Sequence, residues 1–212
     1  MRRFDTILFD LDGTLTDNGE GITNSIAYAL RKFGITPPPR EELNKLIGPP
    51  LRESFVQHFV SEDRGDLAVE YYREYFRPHG IFENHVYDGV RQLLDRLKAE
   101  GVTLAIATSK PEIFAKQVAE HFDLARYFTV IAGSLMDGGR TDKAEVIGYC
   151  LDLLGRPERA LMVGDRRHDI IGARRAGLPA VGVAYGYGSR EELEEAEALA
   201  VIGQPLELLE YL

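Results

Sequence analysis

The segment Phe9-Asp10-Leu11-Asp12-Gly13-Thr14-Leu15-Thr16 places two carboxylates one residue apart, directly after the strand-like run 4–9. On an extended strand, side chains two positions apart share a face. Asp10 and Asp12 are therefore expected to emerge side by side where that strand ends. A buried structural position does not hold two such anions without a partner. A reaction that needs a nucleophilic carboxylate beside a proton-donating one requires them. An isolated Asp-Leu-Asp-Gly would also suit an ordinary strand-to-loop exit, and three further segments weigh against that reading.

Those segments follow later strand-like runs. Thr108-Ser109 comes after 102–107, Lys143 stands near the start of the helix after 128–132, and Gly164-Asp165-Arg166-Arg167-His168-Asp169 comes after 160–163. In an open parallel sheet, ligands bind beyond the carboxyl ends of the strands, so the topology predicts that these ends converge. Carboxylate oxygens suit Mg²⁺, which also takes substrate phosphate oxygens. Asp10 and Asp165 are the expected metal ligands, with Asp169 beside them. Two like charges about 5 Å apart repel by roughly 3 kcal/mol at an effective dielectric near 20. Four carboxylates gathered there would need Lys143 and a divalent ion to offset them.

The elements that must position these groups fall into two kinds. Helical periodicity runs from 18 to 33 and is broken by Gly34 and Pro37-Pro38-Pro39; 40–47, 51–59 and 66–76 read as further helices, with no convincing strand between 16 and 80. After Gly89 the pattern changes to helix 90–100, strand 102–107, a helix from Pro111, strand 128–132, helix 141–154, strand 160–163, helix 169–176 and strand 180–183. Short apolar strands alternating with amphipathic helices predict an α/β fold, a Rossmann-like parallel sheet with helices on both faces. An all-helical cap, 16–80, would interrupt a catalytic core formed by 1–15 and 81–212. The crossings, at 16–20 and 77–88, carry Asn18-Gly19 and His79-Gly80 and would serve as a hinge.

Composition narrows the classes. The 212 residues are 44% apolar and carry a formal charge of −9. Without a basic stripe, a nucleic-acid or anionic-membrane partner is disfavoured. The Glu-rich stretch 191–195 follows Ser189, with Glu192 three residues on, a capping-box pattern that predicts a solvated helix face. There is no membrane-length apolar run and no secretory signal at the start, so a cytoplasmic protein is expected. Cys150, the single cysteine, lies in the stripe Val146, Ile147, Cys150, Leu151, Leu154. It is expected to be a buried, inert thiol.

Together these residues resemble the haloacid-dehalogenase-like superfamily in its phosphatase branch, over nearly the whole chain. Asp10-Leu11-Asp12-Gly13-Thr14-Leu15-Thr16-Asp17 is similar to the first motif, Thr108 to the second, Lys143 to the third, and Gly164 through Asp169 to the fourth. The helical insert resembles the cap of the phosphoglycolate-phosphatase and β-phosphoglucomutase group. The stretch Gly138-Gly139-Arg140-Thr141-Asp142 departs from the commoner Lys-Pro form of the third motif.

The resemblance implies a Mg²⁺-dependent phosphatase for a small phosphorylated metabolite such as 2-phosphoglycolate, a nucleoside monophosphate or a sugar phosphate. Asp10 would attack phosphorus and form an aspartyl-phosphate. Asp12 would start protonated, protonate the leaving alkoxide and then take a proton from water; its backbone carbonyl would also bind the metal. Thr108 and the Ser109 amide would hold phosphoryl oxygens, and Lys143 would neutralise the phosphate and Asp10. The stiff loop Ile47-Gly48-Pro49-Pro50-Leu51-Arg52 resembles the cap loop that faces the site. Gly48 and Arg52 are accordingly expected at the substrate, with Arg52 reading an anionic group. His168 and Lys110 stand beside the motifs and are given no catalytic role. A dehalogenase lacks the second aspartate supplied here by Asp12. A phosphomutase is the runner-up, although that group carries a histidine early in the cap where this chain has Ile22. A phospho-accepting receiver domain is shorter and has no insert. A monomer or weak homodimer is expected.

Overall fold

The computed structural model describes residues 3–47 and 49–212. In chain order the elements are β1 (Thr6–Phe9), β2 (Thr16–Asp17), α1 (Gly19–Lys32), α2 (Arg40–Asn44), α3 (Leu51–His58), α4 (Gly65–Tyr75), β3 (His85–Val86), α5 (Val90–Ala99), β4 (Thr103–Pro111), α6 (Glu112–His121), β5 (Val130–Ser134), α7 (Lys143–Leu153), β6 (Ala160–Gly164), α8 (Arg167–Arg175), β7 (Ala180–Val183), α9 (Arg190–Glu195) and β8 (Ala200–Ile202). Six strands form one sheet in the order β5-β4-β1-β6-β7-β8, with every described pairing parallel. The chain is therefore α/β, with the Rossmann-like parallel sheet that the alternating pattern predicts.

Burial follows the period of two along the strands. Leu8, Ala105, Ala107, Ala132, Ala160 and Met162 pack in one cluster with Val146, Ile147, Cys150 and Leu151 of α7, Ile170 and Ala173 of α8, and Leu193 of α9. The alternate residues Ile7, Phe9, Leu104 and Ile106 are also inaccessible to solvent. Both sheet faces are thus covered, which is what a parallel sheet requires.

The chain divides into two compact units, one running to Thr16 and resuming at Val86–Leu212, the other Asp17–His85. In the second unit, α1 buries Ile26, Ala27, Ala29 and Leu30, and Tyr72 of α4 stacks on Phe76 with ring centroids 5.3 Å apart. The chain leaves and re-enters through a short two-stranded pairing of β2 with β3.

Several boundaries differ from expectation for local reasons. α2 stops at Asn44 rather than 47. β4 runs on to Pro111, because pairing with β5 resumes at Pro111–Ser134 after a register shift beyond Ala107. α7 begins at Lys143, since the Asp142 carboxylate caps it by accepting from the amides of Ala144 and Glu145. α8 begins at Arg167, which puts Asp169 inside its first turn. β8 and the closing 3₁₀ turn Pro205–Tyr211 carry too few residues to show a period and were not anticipated.

Glu192 is not on a solvated face. Ser189 Oγ accepts from the Glu192 amide, as the capping pattern predicts, but the Glu192 carboxylate turns inward to accept from Arg166 Nε at 2.9 Å and the Arg167 amide at 2.8 Å. It ties α9 to the loop between β6 and α8.

Cys150 is fully buried, and burial pushes its thiol up to about 12. The native protein should resist a thiol-specific reagent and titrate one thiol per chain only in denaturant. Rapid labelling of the folded protein would contradict this packing.

Candidate active site

The sheet order makes β1 the turning point of the topology, flanked by β4 and β6. Phe9 lies opposite both Ile106 and Val163, and the Asp10 amide donates to Val163 O at 2.9 Å. Asp10 therefore leaves the sheet beside the ends of both neighbouring strands, where ligands of such sheets bind.

Strand alternation does not place Asp12, because β1 ends at Phe9. A tight turn does so instead: the Leu15 and Thr16 amides donate to Leu11 O, and the Gly13 amide donates to Thr16 O at 2.7 Å. Gly13 has φ of +85°, and a Cβ there would lie 2.3 Å from Asp165 Oδ2. Only glycine meets both conditions.

The turn brings distant carboxylates together. Asp10, Asp165 and Asp169 are all buried, and one oxygen from each lies within 4.8 Å of the others. Lys143, also buried, sits 2.8 Å from Asp10 Oδ1 and 2.7 Å from Asp169 Oδ1. Burial alone would depress its ammonium, but Asp10 and Asp169 outweigh that and hold it firmly charged. One cation does not balance three anions. Burial, then the charges of Asp169 and Asp10, push Asp165 well above the usual carboxylate range. Burial chiefly, with the charge of Asp10 adding, pushes Asp169 up to about 6, while Lys143 pulls the other way. Three buried carboxylate oxygens with a deficit of positive charge fit a hard divalent cation such as Mg²⁺.

Sequence reasoning left Lys110 without a role. Its Nζ lies 2.6 Å from Asp12 Oδ2, and only 5% of its side chain is exposed. The register shift in β4 turns Thr108, Ser109 and Lys110 out of regular pairing, as bulges near active sites do. Thr108 is buried and its Oγ1 accepts from the Lys110 amide, while Ser109 O accepts from Ser134 Oγ. His168 is exposed at the start of α8. Arg52 lies in the helical unit, ion-paired there to Glu62 at 2.8 Å and Asp66 at 3.0 Å, so two carboxylates already match its charge. Gly48 lies outside the described residues.

The raised carboxylates have a consequence for stability. A carboxyl that is easier to protonate folded than unfolded binds more protons in the native state, so the stability it contributes falls as pH rises from the unfolded value near 4 through about 6. Added Mg²⁺ should therefore raise the melting temperature more at pH 7.5 than at pH 5.0, measured against EDTA controls. An equal shift at both pH values would refute the charge deficit.

Comparison with known proteins agrees with this geometry. The family model of haloacid dehalogenase-like hydrolases matches residues 7–183. A 5′-nucleotidase of Pseudomonas aeruginosa is 50% identical over 193 residues, covering 90% of this chain and 87% of that protein. The tyrosine-protein kinase PtkA of Mycobacterium tuberculosis is 38% identical, covering 92% of this chain and 67% of its own length. The crystal structure of a predicted phosphatase from Clostridium acetobutylicum is 47% identical and superposes with a TM-score of 0.94 over 98% of this chain and 97% of that one. With a buried carboxylate triad at the turning point of a parallel sheet and a family match over most of its length, the chain belongs to the haloacid dehalogenase-like hydrolases, among their phosphatases.

Proposed function

We propose that this protein is a Mg²⁺-dependent phosphatase that hydrolyses small phosphomonoesters through an aspartyl-phosphate on Asp10, with nucleoside 5′-monophosphates as the leading substrate class. The observation that carries this reading is the buried trio Asp10, Asp165 and Asp169 around a single ammonium, Lys143. The substrate class draws on the similarity to a 5′-nucleotidase.

Asp10, Asp165 and Asp169, with the Asp12 backbone carbonyl, would hold the metal. Its positive charge would offset the carboxylates and the phosphoryl oxygens. An Asp10 carboxylate oxygen attacks phosphorus, and the bond from phosphorus to the ester oxygen breaks. Asp12 gives its proton to the departing alkoxide. In the second half Asp12 takes a proton from water, whose oxygen attacks the aspartyl-phosphate and releases inorganic phosphate with Asp10 restored. Thr108 and the Ser109 amide contact phosphoryl oxygens at the end of β4. Lys143 neutralises Asp10 and the incoming phosphate. Lys110 holds the Asp12 carboxylate in place once it has given up its proton.

A second reading replaces water with another acceptor. The similarity to a protein named as a tyrosine kinase motivates it, as does the resemblance of the helical insert to the phosphoglycolate-phosphatase and β-phosphoglucomutase group. It shares the first half-reaction and differs only in what relieves Asp10 of its phosphoryl group.

A panel of phosphomonoesters assayed for phosphate release, with Mg²⁺ and with EDTA, tests the reading. Turnover should be highest with nucleoside 5′-monophosphates and vanish in EDTA. Release undiminished by EDTA would sink the metal assignment, and phosphate transfer to a sugar or tyrosine acceptor in preference to water would favour the second reading. Asp10→Asn should abolish turnover while circular dichroism and melting stay near wild type, because an amide is no nucleophile. Lys110→Met should slow hydrolysis of a nucleotide more than of p-nitrophenyl phosphate, whose leaving group needs little protonation. General-acid assistance is worth about 10²–10⁴-fold, so a misplaced Asp12 should show as a difference of about tenfold or more. Equal losses on both substrates would remove Lys110 from the support of Asp12.

A further inference from the structure

The loop that follows β7, Ala184 to Ser189, contains no residue that would act chemically in the reaction above, yet it reaches two parts of the site at once. The Tyr187 amide donates to Asp165 Oδ2 at 2.9 Å. Thr14 Oγ1 donates to Asp165 Oδ1 at 3.3 Å, and the hydroxyl of Tyr185 donates to Thr14 O at 3.0 Å. The ring of Tyr185 meets Tyr87 edge-on, with centroids 5.1 Å apart. A Cβ on Gly186 would stand 2.3 Å from Gly13 O and 2.4 Å from Asp165 Cβ, and one on Gly188 would stand 2.0 Å from Asp165 O. Gly13 O and Asp165 O are backbone atoms, and Asp165 Cβ is held by its own backbone, so none of them can swing aside. The loop lies this close because it has no side chain at either position.

We propose that Tyr185-Gly186-Tyr187-Gly188 is a positioning device for Asp165, and thereby sets the affinity of the site for its divalent cation. The inference rests on the metal-binding reading above. One donor on each oxygen fixes the plane of the Asp165 carboxylate, one oxygen of which lies within 4.8 Å of an oxygen of Asp10 and of Asp169. Tyr185 locks the first turn and the loop into one rigid block, so the carboxylate does not relax away from its two like-charged neighbours when the cation is absent. Groups that orient a metal ligand typically change affinity by about 10–100-fold when removed.

The test is a direct titration of the full-length protein with Mn²⁺, reading free Mn²⁺ by electron paramagnetic resonance, alongside melting temperatures in EDTA. Gly186→Ala should weaken Mn²⁺ binding by about tenfold or more. Tyr185→Phe, which keeps the ring and loses only the hydroxyl, should weaken it several-fold with little change in metal-free melting. If Gly186→Ala fails to fold, Tyr185→Phe decides the matter. Tight Mn²⁺ binding by wild type, abolished in Asp165→Asn but unchanged in folded Tyr185→Phe and Gly186→Ala, would overturn the positioning role and leave the metal site standing. No Mn²⁺ binding by wild type, or undiminished binding by Asp165→Asn, would overturn both.

Discussion

Three buried carboxylates share one ammonium at the end of the central strand, and much of the surrounding structure answers the problem this creates. Asp10, Asp165 and Asp169 repel one another in a place where water cannot screen them. Lys143 bonds two of the three, and backbone and hydroxyl donors engage the third. Removing Lys143 from this set would leave three buried anions with no cation, which is far more damaging than the net worth of either pair. The capped start of α7, the first turn of α8 and the close loop after β7 all keep these groups from drifting apart.

The sheet topology explains how so few residues do this. The strand bearing Asp10 lies between the strands bearing Thr108 and Asp165, so one parallel register brings three remote segments level. A parallel sheet delivers all its carboxyl ends to one edge, and its connections are long enough to place a helix start there as well. Lys143 and Asp169 both use that second opportunity, each in the opening turn of a helix.

The α/β architecture and the strand-end placement of Asp10 and Asp165 were legible in the sequence, because apolar runs closed by polar residues carry a strong periodic signal; Thr108 follows the last regular pair of β4, which itself runs on to Pro111. What escaped notice depended on partners far along the chain or on main-chain atoms. Lys110 looked like an ordinary basic residue before a helix; its partner is Asp12, 98 positions away. Glu192 looked solvated because Arg166 was not foreseeable as its neighbour. Tyr187 contributes an amide, which every residue but proline possesses, so composition could not distinguish it. Asp12 was expected from strand alternation and is carried instead by a turn, since the strand ends at Phe9 and alternation does not carry on past that end.

The pairing of β1 has a consequence for biosynthesis. Thr6 pairs with Thr103 on one side and with Ala160 on the other. At roughly 5–20 residues per second on the ribosome, the strand that precedes Asp10 waits on the order of ten seconds for its last neighbour. Until β6 and α8 emerge, the nascent polypeptide holds Asp10 with neither of its two acidic companions. A product truncated by a stop or a protease before residue 165 would retain the helical insert, yet it could not complete the trio on which the proposed chemistry rests.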